Sequence, residues 1–181
     1  YVINAAAETH VGNSIIDSKA FLRTNIDGVQ NLLELIKAKP ANVASRPVLF
    51  HFSTDEVYGD IADGEHTEDD PLNPSNPYSA SKAAGDILIK AWARTYGIEY
   101  FILRPANNYG TYQYPEKLLP LAVKLLMRDK KIRLHDEGTP IRSWLHAEDT
   151  ANAVISIIIN GKINEIYNVS GGFEQQNVET I

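Results

Sequence analysis

Residues 48–56, Val48-Leu49-Phe50-His51-Phe52-Ser53-Thr54-Asp55-Glu56, decide the fold. The first six are short, apolar and β-prone, and read as a central strand. Residues 59–77 follow with two Gly, three Pro and the acidic run Glu68-Asp69-Asp70, which reads as a loop with solvated charges. Tyr78 to Tyr96 then carries Ala83, Ile87, Leu88, Ala91 and Trp92 at helical spacing, with Gly97 as its cap. Ile98 to Leu103 is a second buried strand. Outward from this strand–helix–strand core the alternation continues. Residues 18–38 place Phe21, Ile26, Val29, Leu32, Leu33 and Ile36 on one helical face, ended by Pro40. The opening YVINAAAETHV reads as a buried strand running into a loop. Downstream, helices are expected over 116–128 and 147–160, and strands over Ile132–His135 and Ile166–Val169. Such alternation predicts an α/β fold, a parallel sheet with helices on both faces.

Composition narrows the classes. The 181 residues are 44% hydrophobic and 22% charged, ordinary globular values. Seventeen basic against 23 acidic side chains give a net charge of -6, so a broad attraction to nucleic acid or an anionic membrane is not expected. With no cysteine there is no disulfide scaffold, thiol nucleophile or cysteine-bound metal. Five histidines lack His-x-x-x-His spacing, and no metal site is expected. Neither Ser53 nor Ser81 sits in a Gly-x-Ser-x-Gly elbow, which argues against a serine hydrolase. No apolar run has membrane-spanning length and no basic-then-apolar leader opens the chain, so the expectation is a soluble, cytoplasmic protein. Residue 1 is Tyr, and the chain reads as a piece of a longer one.

In parallel sheets ligands sit beyond the carboxyl ends of the strands. Three polar clusters follow strands here: Glu8-Thr9-His10, Ser53-Thr54-Asp55-Glu56, and Arg104-Pro105-Ala106-Asn107-Asn108. Tyr78 and Lys82, four apart at the start of a helix, project from one face. An ammonium beside a phenol lowers its pKa from about 10, which suits proton abstraction from a hydroxyl. Asp55 and Glu56 are either a solvated turn or an acid–base pair in which one carboxyl is kept protonated and the other ionised. Neighbours on a strand point to opposite faces, so both reach one substrate only if the chain turns after Thr54.

The words NAAAETHV (4–11), STDEVYGD (53–60), NPYSASKAAGD (76–86), RPANNYG (104–110), YPEKLLP (114–120), IRSWLHAED (141–149) and YNVSGG (167–172) span nearly the whole chain. In them the chain resembles the extended short-chain dehydrogenase/reductases, and within these the dTDP-glucose 4,6-dehydratases, which the Thr54-Asp55-Glu56 triplet singles out. The resemblance implies a Rossmann-type sheet, N-terminally incomplete, with part of a smaller substrate-binding region. Residues 1–110 would be the C-terminal part of the NAD-binding domain, and 111–181 mostly the nucleotide-sugar region, with some segments returning to the sheet. It implies NAD as cofactor and dTDP-glucose as substrate, in deoxysugar biosynthesis. Tyr78 would deprotonate the 4-hydroxyl, Glu56 would take the C5 proton, Asp55 would protonate the leaving 6-hydroxyl, Thr54 would bind the 4-oxygen, and Lys82 would hold the nicotinamide ribose and tune Tyr78.

It further implies cofactor contacts at Ala6, Ala7, Thr24 and Asn108. Substrate contacts fall at Glu8, Asn107, Lys117, Leu118, Arg133, His135, Arg142 and Asn177. Arg142 suits a diphosphate, since a guanidinium offers forked donors; a surface ion pair with Glu137 or Glu148 is its other reading. Helices 18–38 and 78–96 resemble the pair that forms a homodimer interface. One departure stands out. The glycine-rich turn of dinucleotide-binding folds, Gly-x-Gly-x-x-Gly or a spacing variant, occurs nowhere, and a partial cofactor cradle is expected. Other nucleotide-sugar dehydratases, epimerases, decarboxylases and a catalytically silent fragment are the alternatives.

Overall fold

The computed structural model describes residues 1–40, 46–61 and 64–181, and for His135 and Asp136 the backbone alone. Two compact units divide the chain. The first comprises Tyr1–Arg104 and Asn160–Asn168, the second Pro105–Ile159 and Val169–Ile181.

The first unit is built on a four-stranded sheet. Strands β1 (Val2–Asn4), β2 (Leu49–Phe52), β3 (Tyr100–Pro105) and β6 (Glu165–Val169) lie in the order β1-β2-β3-β6. The pairs β1–β2 and β2–β3 are parallel, with Phe50 opposite Ile3 and Phe101. Leu49, Phe50, Phe101, Ile102 and Leu103 are fully buried, as expected of continuous apolar strands covered on both faces. The opening strand differs from expectation. It is the sheet's edge here, and Tyr1 and Ile3 are exposed.

Helices α1 (Val11–Ile16), α2 (Lys19–Leu22), α3 (Gly28–Lys37) and α4 (Pro77–Tyr96) cover the sheet. The segment expected as one helix over 18–38 is interrupted by a π-helical turn at Arg23–Asp27. Val29, Leu33 and Ile36 of α3 pack with Leu49, Ile89, Ile98 and Ile102 into the main core. The start of α4 is fixed by Asn76, whose side chain accepts from the Ser79 amide while the Ser79 hydroxyl accepts from the Asn76 amide, with Pro77 in the first turn. Gly97, at φ +67, ends it in the left-handed conformation. Of the apolar stripe read from the sequence, Ala83 is buried, Leu88 and Trp92 pack against the core, and the buried face also takes in polar groups. Ile87 is 58% exposed, while Tyr78, Ser81, Lys82, Gly85, Asp86 and Ile89 face inward. A largely polar stripe can be buried because its groups find partners.

In the second unit β4 (Asn107–Tyr109) pairs in parallel with β5 (Ile141–His146), which pairs antiparallel with β7 (Glu174–Gln176). Helices α5 (Leu118–Leu126), α6 (Ala147–Asn160) and α7 (Asn177–Thr180) complete it. The strand expected at Ile132–His135 is absent. That stretch is irregular and runs into a 3-10 turn at His135–Gly138, where Glu137 (φ +55) and Gly138 (φ +82) leave the extended region.

Candidate active site

In the first unit the parallel strands β1, β2 and β3 end at one edge, and the chain bends sharply after β2. Thr54 is extended (φ -158, ψ 153), and Asp55–Tyr58 form a 3-10 turn whose Glu56 amide donates to the Thr54 hydroxyl at 3.3 Å. This is the turn that lets consecutive carboxylates leave the strand together. The Thr54 hydroxyl lies 3.1 Å from Asp55 Oδ1 and hydrogen-bonds the Tyr78 phenol. Glu56 Oε2 accepts from Asn76 Nδ2 at 3.4 Å, which ties it to the cap of α4, two residues before Tyr78. Tyr78 is itself anchored. Its amide donates to Ser14 Oγ at 3.2 Å and its ring meets Phe21 edge-on at 6.4 Å.

Thr54, Asp55, Glu56 and Tyr78 thus form one constellation, with Lys82 a helical turn below. Lys82 Nζ donates to the Phe52 carbonyl at 2.5 Å. Burial pushes this lysine down to about 8, against the pull of Asp86. The phenol of Tyr78 moves the other way from the lowering anticipated for a phenol beside an ammonium. Burial holds it well above its usual value, the charge of Glu56 adds to this, the Thr54 hydrogen bond opposes it, and Asp55 adds a smaller push. Lys82 spends its hydrogen bond on the strand carbonyl, and the nearby charges that act on the phenol are negative.

The loop after β1 is held by a residue that sequence reasoning passed over. Asn25, buried in the π-helical turn, accepts from the Glu8 amide and donates to the Glu8 carbonyl, both at 3.0 Å, and donates to Ser81 Oγ at 2.8 Å. The signal was present: Asn25 falls midway between buried Phe21 and Val29, a polar residue on the apolar stripe. Ala6 is exposed and Ala7 half-buried in this loop, and the Ala6 amide donates to Asn4 Oδ1 at 3.3 Å. Glu8 is exposed, and Thr24 is half-buried next to Asn25. The acidic loop is more than solvated. Glu68 Oε1 accepts the Asn168 amide of β6 at 2.8 Å, and Asp70 binds His66 Nδ1 at 3.0 Å.

The second unit carries the remaining candidates in separate settings. Asn108 donates to the Ala106 carbonyl at 3.0 Å and accepts from the Thr150 hydroxyl, so both ends of its amide are engaged. Asn107 pairs in register with Trp144. Lys117 caps α5 and Leu118 begins it. Arg133 is exposed; the side chain of His135 lies outside the described residues. Arg142 is exposed on β5, its Nη1 on the Ile141 carbonyl at 3.1 Å, and among the described residues no ion pair joins it to Glu137 or Glu148. Asn177 opens α7 with its amide on the Pro140 carbonyl at 3.1 Å, and its Oδ1 is buried with no hydrogen-bond partner among the described residues. A recess in this unit is lined by Tyr109, Trp144, His146 and Phe173 among others, and by none of these candidates.

Among the described residues no helix is long and apolar enough to cross a membrane. The chain is 44% identical over 181 residues to a dTDP-glucose 4,6-dehydratase of Streptomyces niveus, covering 98% of this chain and 52% of the relative. A crystal structure of a double mutant of the dTDP-glucose 4,6-dehydratase of Streptomyces venezuelae, with NAD bound, superposes with a TM-score of 0.93 at 40% identity, covering 98% of this chain and 54% of that one. A UDP-glucuronic acid 4-epimerase of Bacillus cereus, also solved with NAD, gives a TM-score of 0.91 at 26% identity, covering 99% and 56%. The chain spans about half the length of the curated relatives it matches. The family model described as the NAD dependent epimerase/dehydratase family matches residues 1–170, and with a Rossmann-like sheet bearing a Tyr–Lys pair at its carboxyl edge, the chain belongs to that family.

Proposed function

We propose that the protein is a dTDP-glucose 4,6-dehydratase, a lyase that uses bound NAD. One observation carries this reading: the 3-10 turn after β2 sets Asp55 and Glu56 together beside Thr54 and Tyr78. A plain oxidation or an epimerisation at C4 needs one proton carrier. Two further carboxyl groups suit a reaction that also removes a C–H proton and expels a hydroxyl.

The residues present fit the nicotinamide–ribose half of the cofactor. Lys82 is a buried cation one turn from Tyr78, and small, exposed Ala6 and half-buried Ala7 follow β1. The forked backbone donors of a glycine-rich turn, which would take the pyrophosphate, are not among these residues. NAD, when bound, supplies the acceptor for the C4 hydride and later returns that hydride at C6. Tyr78 takes the proton of the glucose 4-hydroxyl, with the Thr54 hydroxyl placed to bind the 4-oxygen. A positive nicotinamide would offset the negative charges that hold the phenol protonated. Once C4 is a ketone, the C5 proton is acidic and passes to Glu56. Asp55 gives its proton to the 6-hydroxyl, which leaves as water. With hydride delivered to C6, Glu56 gives the proton it holds back to C5, and the product is dTDP-4-keto-6-deoxyglucose.

The first unit would serve the cofactor and the proton transfers, and the second the nucleotide sugar, through Asn107, Lys117, Leu118, Arg133, His135, Arg142 and Asn177. Asn177 Oδ1, buried and unpartnered among the described residues, suits a base or ribose donor. Exposed Leu22, Leu35 and Ile87 support a homodimer through the helices of the first unit. An enzyme of these substrates works in the cytoplasm, where nucleotide sugars are made. The test is to incubate the gene product with dTDP-glucose and NAD and weigh the product. Loss of one water from the sugar supports the reading, and an unchanged mass overturns it. Unchanged mass with inverted C4 stereochemistry favours a 4-epimerase instead, the reading that likeness to the Bacillus cereus enzyme supports.

A further inference from the structure

Lys82 belongs to a row of buried polar groups that runs inward from the Tyr78 turn of α4. Its side chain is 3% exposed and is held by the Phe52 carbonyl. One turn further along the same face, Asp86 is 0% exposed and accepts from Arg104 Nε of β3 at 3.0 Å. Arg104, 2% exposed, donates through Nη1 to the Tyr58 hydroxyl at 2.6 Å, and that hydroxyl donates to Asn168 Oδ1 at 2.8 Å. The guanidinium also lies 4.7 Å from the centre of the Tyr58 ring. The Ser53 hydroxyl also bears on the Asp86 carboxylate. Arg104 contacts this carboxylate directly, and Lys82 stands one helical turn from it on the same buried face. From β2, His51 also faces this cluster, but burial and the charge of Lys82 keep it neutral. Ser53 adds a hydroxyl and no charge. On its own helix Lys82 has Tyr78 behind it and Asp86 ahead.

An ammonium taken out of water tends to lose its proton unless an anion stands by. A buried pair such as Asp86–Arg104 rarely repays its own desolvation, so its retention points to another task. We propose that Asp86, clamped by Arg104, is a positioning residue that keeps Lys82 charged one turn below Tyr78, where the cofactor ribose would meet it. The inference rests on the reading of Lys82 as a contact of the nicotinamide ribose. It agrees with the forces on the groups. Asp86 opposes the burial that lowers Lys82, while Arg104 first and Lys82 last oppose the burial that raises Asp86.

The test follows the Lys82 ε-carbon by NMR across pH in protein labelled at lysine, the signal assigned by its loss in Lys82→Met. In Asp86→Asn the midpoint should fall by about one unit or more, whereas Asp86→Glu should keep it near the parent value. If Asp86→Asn does not fold, Asp86→Asn combined with Arg104→Gln removes the stranded guanidinium as well and should show a smaller fall. An unmoved midpoint in the folded variant overturns the proposal. The titration needs no substrate, so a parent protein without dTDP-glucose turnover refutes the dehydratase reading separately. Turnover with an unmoved Lys82 refutes the role of Asp86 alone.

Discussion

The two units set their basic candidates in opposite surroundings, although Asn108 and Thr150 of the second are engaged with each other. In the first, Thr54, Tyr78, Lys82, Asp86 and Arg104 are all buried, and each is fixed by a hydrogen bond to backbone or side chain. In the second, Arg133 and Arg142 are exposed, on a loop and on a short strand of a three-stranded sheet. A group that moves a proton must be held in place and kept from water, where its pKa can be set. A group that grips a phosphate needs charge and reach more than burial. On the proposed function, rate would belong to the first unit and affinity to the second, and substitutions in the two should separate kcat from KM.

The largest effect is expected at Tyr78. Removing its hydroxyl in Tyr78→Phe should lower kcat by about 10³-fold with little change in KM, since general acid–base groups contribute roughly 10²–10⁴. Steady-state turnover of dTDP-glucose measures it. A tenfold loss or less would place the proton transfer elsewhere and dissolve the contrast. Asp55→Asn comes next, with kcat reduced by about 10²-fold. Its signature is sharper than its size. In D2O, substrate should still exchange its C5 proton through Glu56 while water loss is slowed, which mass measurement of recovered substrate reports. No exchange in a slowed variant would move the earlier proton step to Asp55.

Lys82 tests the physical cost of the first unit's arrangement. Its folded pKa is about 8, below an unfolded value of about 10.4, so the unfolded chain binds more protons between those values. Stability should then rise with pH across that window, the burden being greatest below pH 8 and fading toward pH 10. Lys82→Met removes the titration. Urea unfolding of both proteins should show the parent gaining roughly 2–3 kcal/mol on the variant between pH 7 and pH 10. A constant difference between the two would mean that Lys82 is not desolvated.

How far these features could be read from the residues follows the same division. β2 and β3 are apolar runs that only a covered sheet accommodates, and α4 announces itself by Asn76-Pro77 and Gly97. The Tyr78–Lys82 spacing is visible because a helix converts sequence distance into a shared face. The bend after Thr54 was only a condition, since it depends on the dihedrals of one residue. Arg104 reads as part of a polar cluster after its strand, whereas it lies buried within β3, and Asp86 went unread, because a charge in a helix or strand is taken for surface until its partner, 18 residues away, is known to be adjacent. In the second unit β4, with two asparagines, and β7, Glu174-Gln175-Gln176, have no strand-like pattern of their own and exist by pairing with β5. The Ile132–His135 stretch has apolar alternation but is followed by left-handed backbone at Glu137 and Gly138.

Arg142 provides the smallest and most discriminating measurement. It is exposed and, among the described residues, tied only to its neighbour's carbonyl, so Arg142→Gln should leave folding and thermal stability unchanged. If it grips the diphosphate, the loss of a forked, charge-assisted contact to a partly solvated anion should raise KM for dTDP-glucose about tenfold, with kcat within about twofold. Because the contact is ionic and open to solvent, the KM difference between parent and variant should also narrow as salt is raised, with a Debye length of roughly 10 Å at 0.1 M shrinking to about 3 Å at 1 M. A fall in kcat with KM unchanged would put Arg142 among the groups that serve the reacting sugar and would erase the line drawn between the two units.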